Sequence, residues 1–138
     1  LQQIQKLKSR DQVVRVHEAA HVAAGAGLVR GGANFSFQRG PDGIQYAVGG
    51  EVKIDASKVS GDPQATLEKA KKIQSAALAP AQPSTQDRNI AAKAAQMAIE
   101  ARAEISQQRS NEQSTQTTIS SFSQQQAEPA GNLLDLTA

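Results

Sequence analysis

The sequence predicts an α+β fold from three successive patterns. A helical stretch holding both histidines comes first, then a period-two stretch folded at Gly-Pro-Asp-Gly, then two capped helical stretches joined by PAQPS. The expected architecture is the histidine-bearing helix packed against a β-hairpin, followed by an antiparallel helical pair and a disordered Gln/Ser-rich C-terminal tail.

Residues 1–8, LQQIQKLK, space Leu1, Ile4 and Leu7 three apart and suit a helical lead-in. Ser9 and Gln12 have capping-box spacing, and Asp11 would add a negative charge to a first turn. The main helix is therefore expected to start near Ser9. Its end is expected near Gly25 to Gly27, where glycine leaves the helical conformation cheaply. One unbroken helix from residue 2 is the alternative.

In ANFSFQR the apolar Ala33, Phe35 and Phe37 alternate with Asn34, Ser36 and Gln38. In IQYAVGGEVKID the even positions Ile44, Tyr46, Val48, Val52 and Ile54 are apolar, and the odd ones are mostly polar. Period two means strand, and Gly40-Pro41-Asp42-Gly43 is a strong turn, so residues 33–55 read as a β-hairpin.

Asp62-Pro63 gives an N-cap with proline at the first helical position. Leu67, Ala70, Ile73, Ala77 and Leu78 carry the apolar stripe of that helix, which must stop before Pro80. A second capping box, Ser84 to Asp87, opens a longer helix with the seam Ile90, Ala94, Met97, Ala101 and Ile105. From about Ser106 the chain turns Gln/Ser/Thr-rich, with too little apolar surface to offset its ordering entropy. The organisation expected is a lead-in over 1–8, a domain over 9–109 and a disordered tail over 110–138. LLDL near the end reads as a frayed terminus rather than a docking peptide.

The 138 residues suit one modest domain whose aromatic core is three Phe and one Tyr. Lys plus Arg number 15 against 13 Asp plus Glu, so the basic pI reflects near balance and argues against a nucleic-acid partner. Lys69, Lys71 and Lys72, with Glu68 a turn before Lys72, read as a solvated helix face. No cysteine is present, which removes disulfides, thiolate metal sites and a cysteine nucleophile together. No apolar run is long enough for a membrane span. The chain opens at Leu1 rather than Met, which leaves room for an upstream signal peptide, anchor or pro-segment and leaves the compartment open.

The chemistry concentrates in HEAAH, residues 17–21. On a helix, residues four apart lie about 40° apart in projection, so His17 and His21 lean the same way and can share one Zn²⁺. Glu18, one position on, misses the metal but can reach a water there, take its proton and pass it to a leaving amine. The plainer alternative is a core helix striped by Val14, Val16, Ala20 and Ala24, with the histidines at its edge. Zinc also wants a third protein ligand, and no third histidine exists. The carboxylates available are Asp42, Glu51, Asp55, Asp62, Glu68, Asp87, Glu100 and Glu104. Glu51 is favoured because Gly49-Gly50 lets a helix or a substrate backbone come close. A regular strand would turn Glu51 away from Tyr46, Val48 and Val52. The assignment therefore needs the helix to pack on the Ala47 and Gly49 face, or a glycine bulge that re-aims Glu51. Tyr46 is a candidate oxyanion donor and stabiliser of a transition state, although its apolar neighbours favour core packing. Arg39 and Asp42 belong to the turn.

Three segments, RDQVVRVHEAAHVAAGAG, FQRGPDGIQYAVGGEVKID and GDPQATLEKAKKIQSAALAPAQPSTQDRNIAAKAAQMA, together resemble the SprA-related family of bacterial metalloproteases. The likeness runs from about Arg10 to Glu104, and the ordered succession HExxH, QRGPDG, YAVGGEV, GDP, ALAPA and PS-x-QDR is far more specific than HExxH alone. The resemblance implies a zincin-like catalytic domain, with His17 and His21 as zinc ligands and Glu18 as the catalytic acid/base. Ala19 departs from the polar residue that often follows HE in the family, and touches no chemical role. Two functions follow as expectations. One is zinc-dependent hydrolysis of a peptide or protein substrate, which calls for a cleft beside His17, Glu18 and His21. The other is a non-catalytic binding or assembly module, in which those side chains are buried or fully paired and any metal is structural.

Overall fold

The computed structural model describes the backbone of residues 1–137 and the side-chain surroundings of residues 1–119. Its elements run α1 (Gln2–Ala24), β1 (Val29–Arg39), β2 (Gln45–Ile54), α2 (Pro63–Ala77) and α3 (Thr85–Thr137). The fold is α+β, three helices and one antiparallel hairpin. No helix among the described residues is long and apolar enough to cross a membrane. The chain divides into two compact units, Leu1–Ala101 and Arg102–Ala138.

Helix α1 is unbroken from Gln2, the alternative form rather than a lead-in followed by a new start at Ser9. Its N-cap is Leu1, with no side-chain cap. Two forces override the capping box. Leu7 is buried, which anchors the early turns, and Asp11 serves the sheet instead of a helix end. Asp11 accepts from the Ala47 backbone N–H at 2.7 Å and from Arg15 Nε at 3.0 Å. These bonds hold its carboxyl below the usual aspartate range, the Ala47 bond being the largest cause. Arg10 Nε donates to the Val48 carbonyl at 3.0 Å. The helix ends where glycine was expected to end it, with Gly25 as its C-cap.

The hairpin is longer at its start than the alternation foretold, because β1 begins at Val29. Gly31 and Gly32, both at positive φ, form an irregularity between the Arg30↔Lys53 and Ala33↔Val52 pairs. A second irregularity lies between Ser36↔Gly49 and Phe37↔Ala47, leaving Val48 as the extra residue on β2. That bulge breaks the period of two: Tyr46 and Ala47 are both buried, and Val52 is buried further along. Arg15 reaches from α1 over the hairpin, its guanidinium 5.2 Å from the Phe35 ring centre and 6.0 Å from that of Phe37.

Asp62 caps α2, accepting from the Ala65 N–H at 3.0 Å, with Pro63 at the first position. Thr66, Leu67, Ala70, Ile73, Ala76 and Ala77 form its buried face, while Leu78 is left 44% exposed at the C-cap. Lys69 is not on a solvated face. Its ammonium meets Asp55 at 3.1 Å, and Arg30 joins the same carboxylate at 3.2 Å. Ala91, Ala94, Met97, Ala98 and Ala101 are buried on α3. The helix continues through Thr137 across the segment expected to be disordered. There Thr115, Thr117 and Thr118 return their hydroxyl bonds to carbonyls four residues back. No described side chain beyond Ala101 is buried. A helix supplies its own backbone bonds without needing a core. The side chains of LLDL lie outside the described residues.

The turn carries a pH-sensitive pair. Tyr46 donates its hydroxyl to Asp42, and the Ile44 N–H donates to the same carboxylate at 3.2 Å. The hydrogen bond to Asp42, with burial behind it, pushes the Tyr46 phenol from 10.0 up to about 12, and the same bond lowers Asp42. A raised Tyr46 contributes stability that is complete below its unfolded value and is lost as pH rises through the folded one. Thermal melts from about pH 9 to about pH 12 should therefore show the wild type losing stability more steeply than Tyr46→Phe. Parallel curves would mean that this bond does not link the turn to pH.

Candidate functional site

The site begins with what the imidazoles of α1 can reach. His21, 3% exposed, places Nδ1 2.8 Å from the Ala76 carbonyl in the last turn of α2. A carbonyl only accepts, so Nδ1 carries the proton and Nε2 is the atom turned to the site. Nε2 of His21 lies 3.3 Å from Nε2 of His17. The two rings meet edge to face, with centres 4.9 Å apart.

Asp87 completes the group. Its Oδ2 lies 3.0 Å from His17 Nε2 and its Oδ1 3.1 Å from His21 Nε2. The carboxylate is aimed by the capping box of α3: Ser84 N donates to Asp87 Oδ2 at 2.8 Å, and Asp87 N donates to Ser84 Oγ at 3.0 Å. Burial pushes the Asp87 carboxyl up. The Ser84 bonds and His21 outweigh it and hold the group below the usual aspartate range. His17, His21 and Asp87 each offer one ligand atom, all within 4.8 Å of one another, and the three can hold a metal ion.

The third member of the group that the structure brings together is Asp87, where the sequence favoured Glu51. Both imidazoles turn to the helical side, where Ala76 and Asp87 receive them, instead of toward the hairpin. Glu51 is exposed and lines the same cleft from β2, outside the group. The Gly-Gly pair does admit a close neighbour, and that neighbour is Glu18. A Cβ on Gly50 would stand 2.7 Å from Glu18 Cγ, so only glycine leaves room for this side chain. Glu18 is 5% exposed. Burial raises its carboxyl above the usual glutamate range; His17 and His21 oppose the shift, while Asp87 and Glu51 add to it.

Tyr46 does not belong to this site. Its hydroxyl is spent on Asp42 in the turn, and it is absent from the walls of the cleft. The cleft encloses about 320 Å³ between α1, β2 and the start of α3, with His17, Glu18, His21, Gly50, Glu51 and Asp87 among its walls. Sequence reasoning missed Arg10, Gln82 and Gln86, which also line it. Arg10 carried a legible signal, since it shares the helix face of His17 and His21 at seven and eleven residues' distance. Gln82, in the loop before α3, and Gln86, in its first turn, carried none.

The SprA-related family model matches residues 1–133. The chain belongs to the SprA-related family. No curated protein and no solved structure matches it. The site of this SprA-related chain thus stands on its own geometry.

Metal titration of chelator-stripped protein checks the grouping. Asp87→Asn should weaken binding by more than about 100-fold, beyond the usual outer-shell cost, and Glu51→Gln by less than about tenfold. The reverse order would return the third position to Glu51.

Proposed function

We propose that this SprA-related chain is a zinc-dependent peptidase, with His17, His21 and Asp87 as ligands and Glu18 as the general base. One observation carries the reading. The two imidazole Nε2 atoms stand 3.3 Å apart, and each has its own oxygen of the Asp87 carboxylate at 3.0 or 3.1 Å, on the wall of the cleft that Glu18 also lines. Ligands about 2.0–2.1 Å from a tetrahedral zinc stand roughly 3.3 Å from one another, so the donor set fits the ion in number and kind, and its two imidazole nitrogens fit in spacing. Two neutral imidazoles and one carboxylate match the three-ligand sets of open catalytic sites. Bound there, Zn²⁺ would supply Lewis acidity to a water and to a peptide carbonyl.

The remaining work falls to the chain. The Ala76 carbonyl fixes the His21 tautomer by accepting its Nδ1 proton, which keeps the Nε2 lone pair on the site. Ser84 holds Asp87 through its backbone N–H and hydroxyl, so the carboxylate needs no reorganisation. Glu18 takes the proton of the attacking water on its carboxylate and returns it to the amide nitrogen as the C–N bond breaks. Burial against Gly50, by raising its proton affinity, suits Glu18 to both halves of that transfer.

A non-catalytic module is the second reading, favoured by the pairing of both imidazoles with Asp87. Hydrolysis separates the two. With a zinc-loaded protein and a mixed peptide digest as substrate, Glu18→Gln should retain about one Zn²⁺ per chain and lose at least about 100-fold in rate. Equal rates for the two proteins would remove Glu18 from the role. Absence of zinc binding by the wild type, or its persistence in the His17→Ala, His21→Ala double variant, would remove the metal site itself.

A further inference from the structure

Arg10 is the only lysine or arginine among the residues lining the cleft. It stands on the same face of α1 as His17 and His21, since seven and eleven residues each return within about 20° of the starting direction. Its Nε is bound to the Val48 carbonyl at 3.0 Å, at the bulge that leads into Gly49-Gly50. That bond ties the guanidinium to the bulge, and no described hydrogen bond engages either Nη group. Among the described ion pairs Arg10 has no partner. The neighbouring Asp11 carboxylate is taken by Ala47 and Arg15. The other charged walls of the cleft, Glu18, Glu51 and Asp87, are carboxylates.

A guanidinium tethered at Nε still presents its end-on Nη fork, which matches the two oxygens of a carboxylate. Holding it in place beforehand lowers the ordering cost of binding. Seven helical residues separate Arg10 from His17 by about 10.5 Å along the axis. An extended peptide advances about 3.3 Å per residue, so that distance corresponds to about three residues.

We propose that Arg10 is the specificity-determining residue of the cleft, binding a substrate carboxylate about three residues from the bond that is cut. The inference rests on the peptidase reading for the cut bond, and on Arg10's own geometry for the carboxylate. The carboxylate is either the substrate's C-terminus or an acidic side chain, and the test separates these sources.

Four fluorescent hexapeptides of one core sequence serve as probes: free or amidated at the C-terminus, each with or without a single glutamate. Zinc-loaded wild type, Arg10→Gln and Arg10→Lys are compared for cleavage rate and product masses. Polarisation with the Glu18→Gln protein, alone and combined with Arg10→Gln, reports binding without turnover. The expected result is a 10- to 100-fold preference for carboxylate-bearing peptides, the usual strength of a charge-assisted bond. Arg10→Gln should abolish that preference, and Arg10→Lys should retain part of it. The free-acid arm winning identifies the C-terminus, and the glutamate arm an acidic side chain. Three outcomes overturn the proposal: equal binding of all four peptides, a preference that survives Arg10→Gln, or a uniform loss across the four, which marks Arg10 as a strut for Val48. A protein that cuts none of the four yet shows the Arg10-dependent binding preference would count against the peptidase reading and keep the carboxylate contact of Arg10.

Discussion

Asp87 is asked to satisfy two neighbours at once. Through Ser84 it closes the capping box that starts α3, and through its two oxygens it faces both imidazoles of α1. A partly buried carboxylate is costly without such partners. Here the partners are backbone N–H, hydroxyl and imidazole, and together they keep it ionised. His21 adds the third helix by giving its Nδ1 proton to Ala76 at the end of α2. One carboxylate and one imidazole therefore draw the three helices to a single point, and the cleft lies beside that point.

The opposite wall depends on how α1 meets the hairpin. Asp11 and Arg10 bind the backbone of Ala47 and Val48 at the bulge, and Arg15 spreads over Phe35 and Phe37. These contacts set the approach that presses Glu18 against Gly50. A two-stranded sheet is marginal alone, so the helix that it positions also supports it.

Much of this was legible from residue patterns. The turn at Gly40 to Gly43, the Asp62-Pro63 start of α2 and the Ser84–Asp87 capping box all appear where the sequence put them. Local rules sufficed because each of these features is made by near neighbours. His17 and His21 converge for the same reason, being four residues apart on one helix. The third partner was harder. Asp87 was one of eight carboxylates, and its cap role explained it fully without tertiary contact. Period two also failed at Val48, where the bulge shifts the alternation on which any assignment of Glu51 had to rest. Ser9 and Gln12 show the converse: correct capping spacing goes unused when Leu7 is buried and Asp11 is drawn to the sheet.

His17 and Asp87 are seventy positions apart in the chain. An ion held between them would act as a reversible cross-link, closing a loop that contains the end of α1, the hairpin, the whole of α2 and the three segments that connect these elements to one another and to α3. Closing a long loop removes freedom chiefly from the unfolded chain. A core built so largely of alanine has little other means of holding such distant segments together. Such an ion would then stabilise the folded chain against its unfolded form, and its removal would be felt across the whole loop rather than at the site alone.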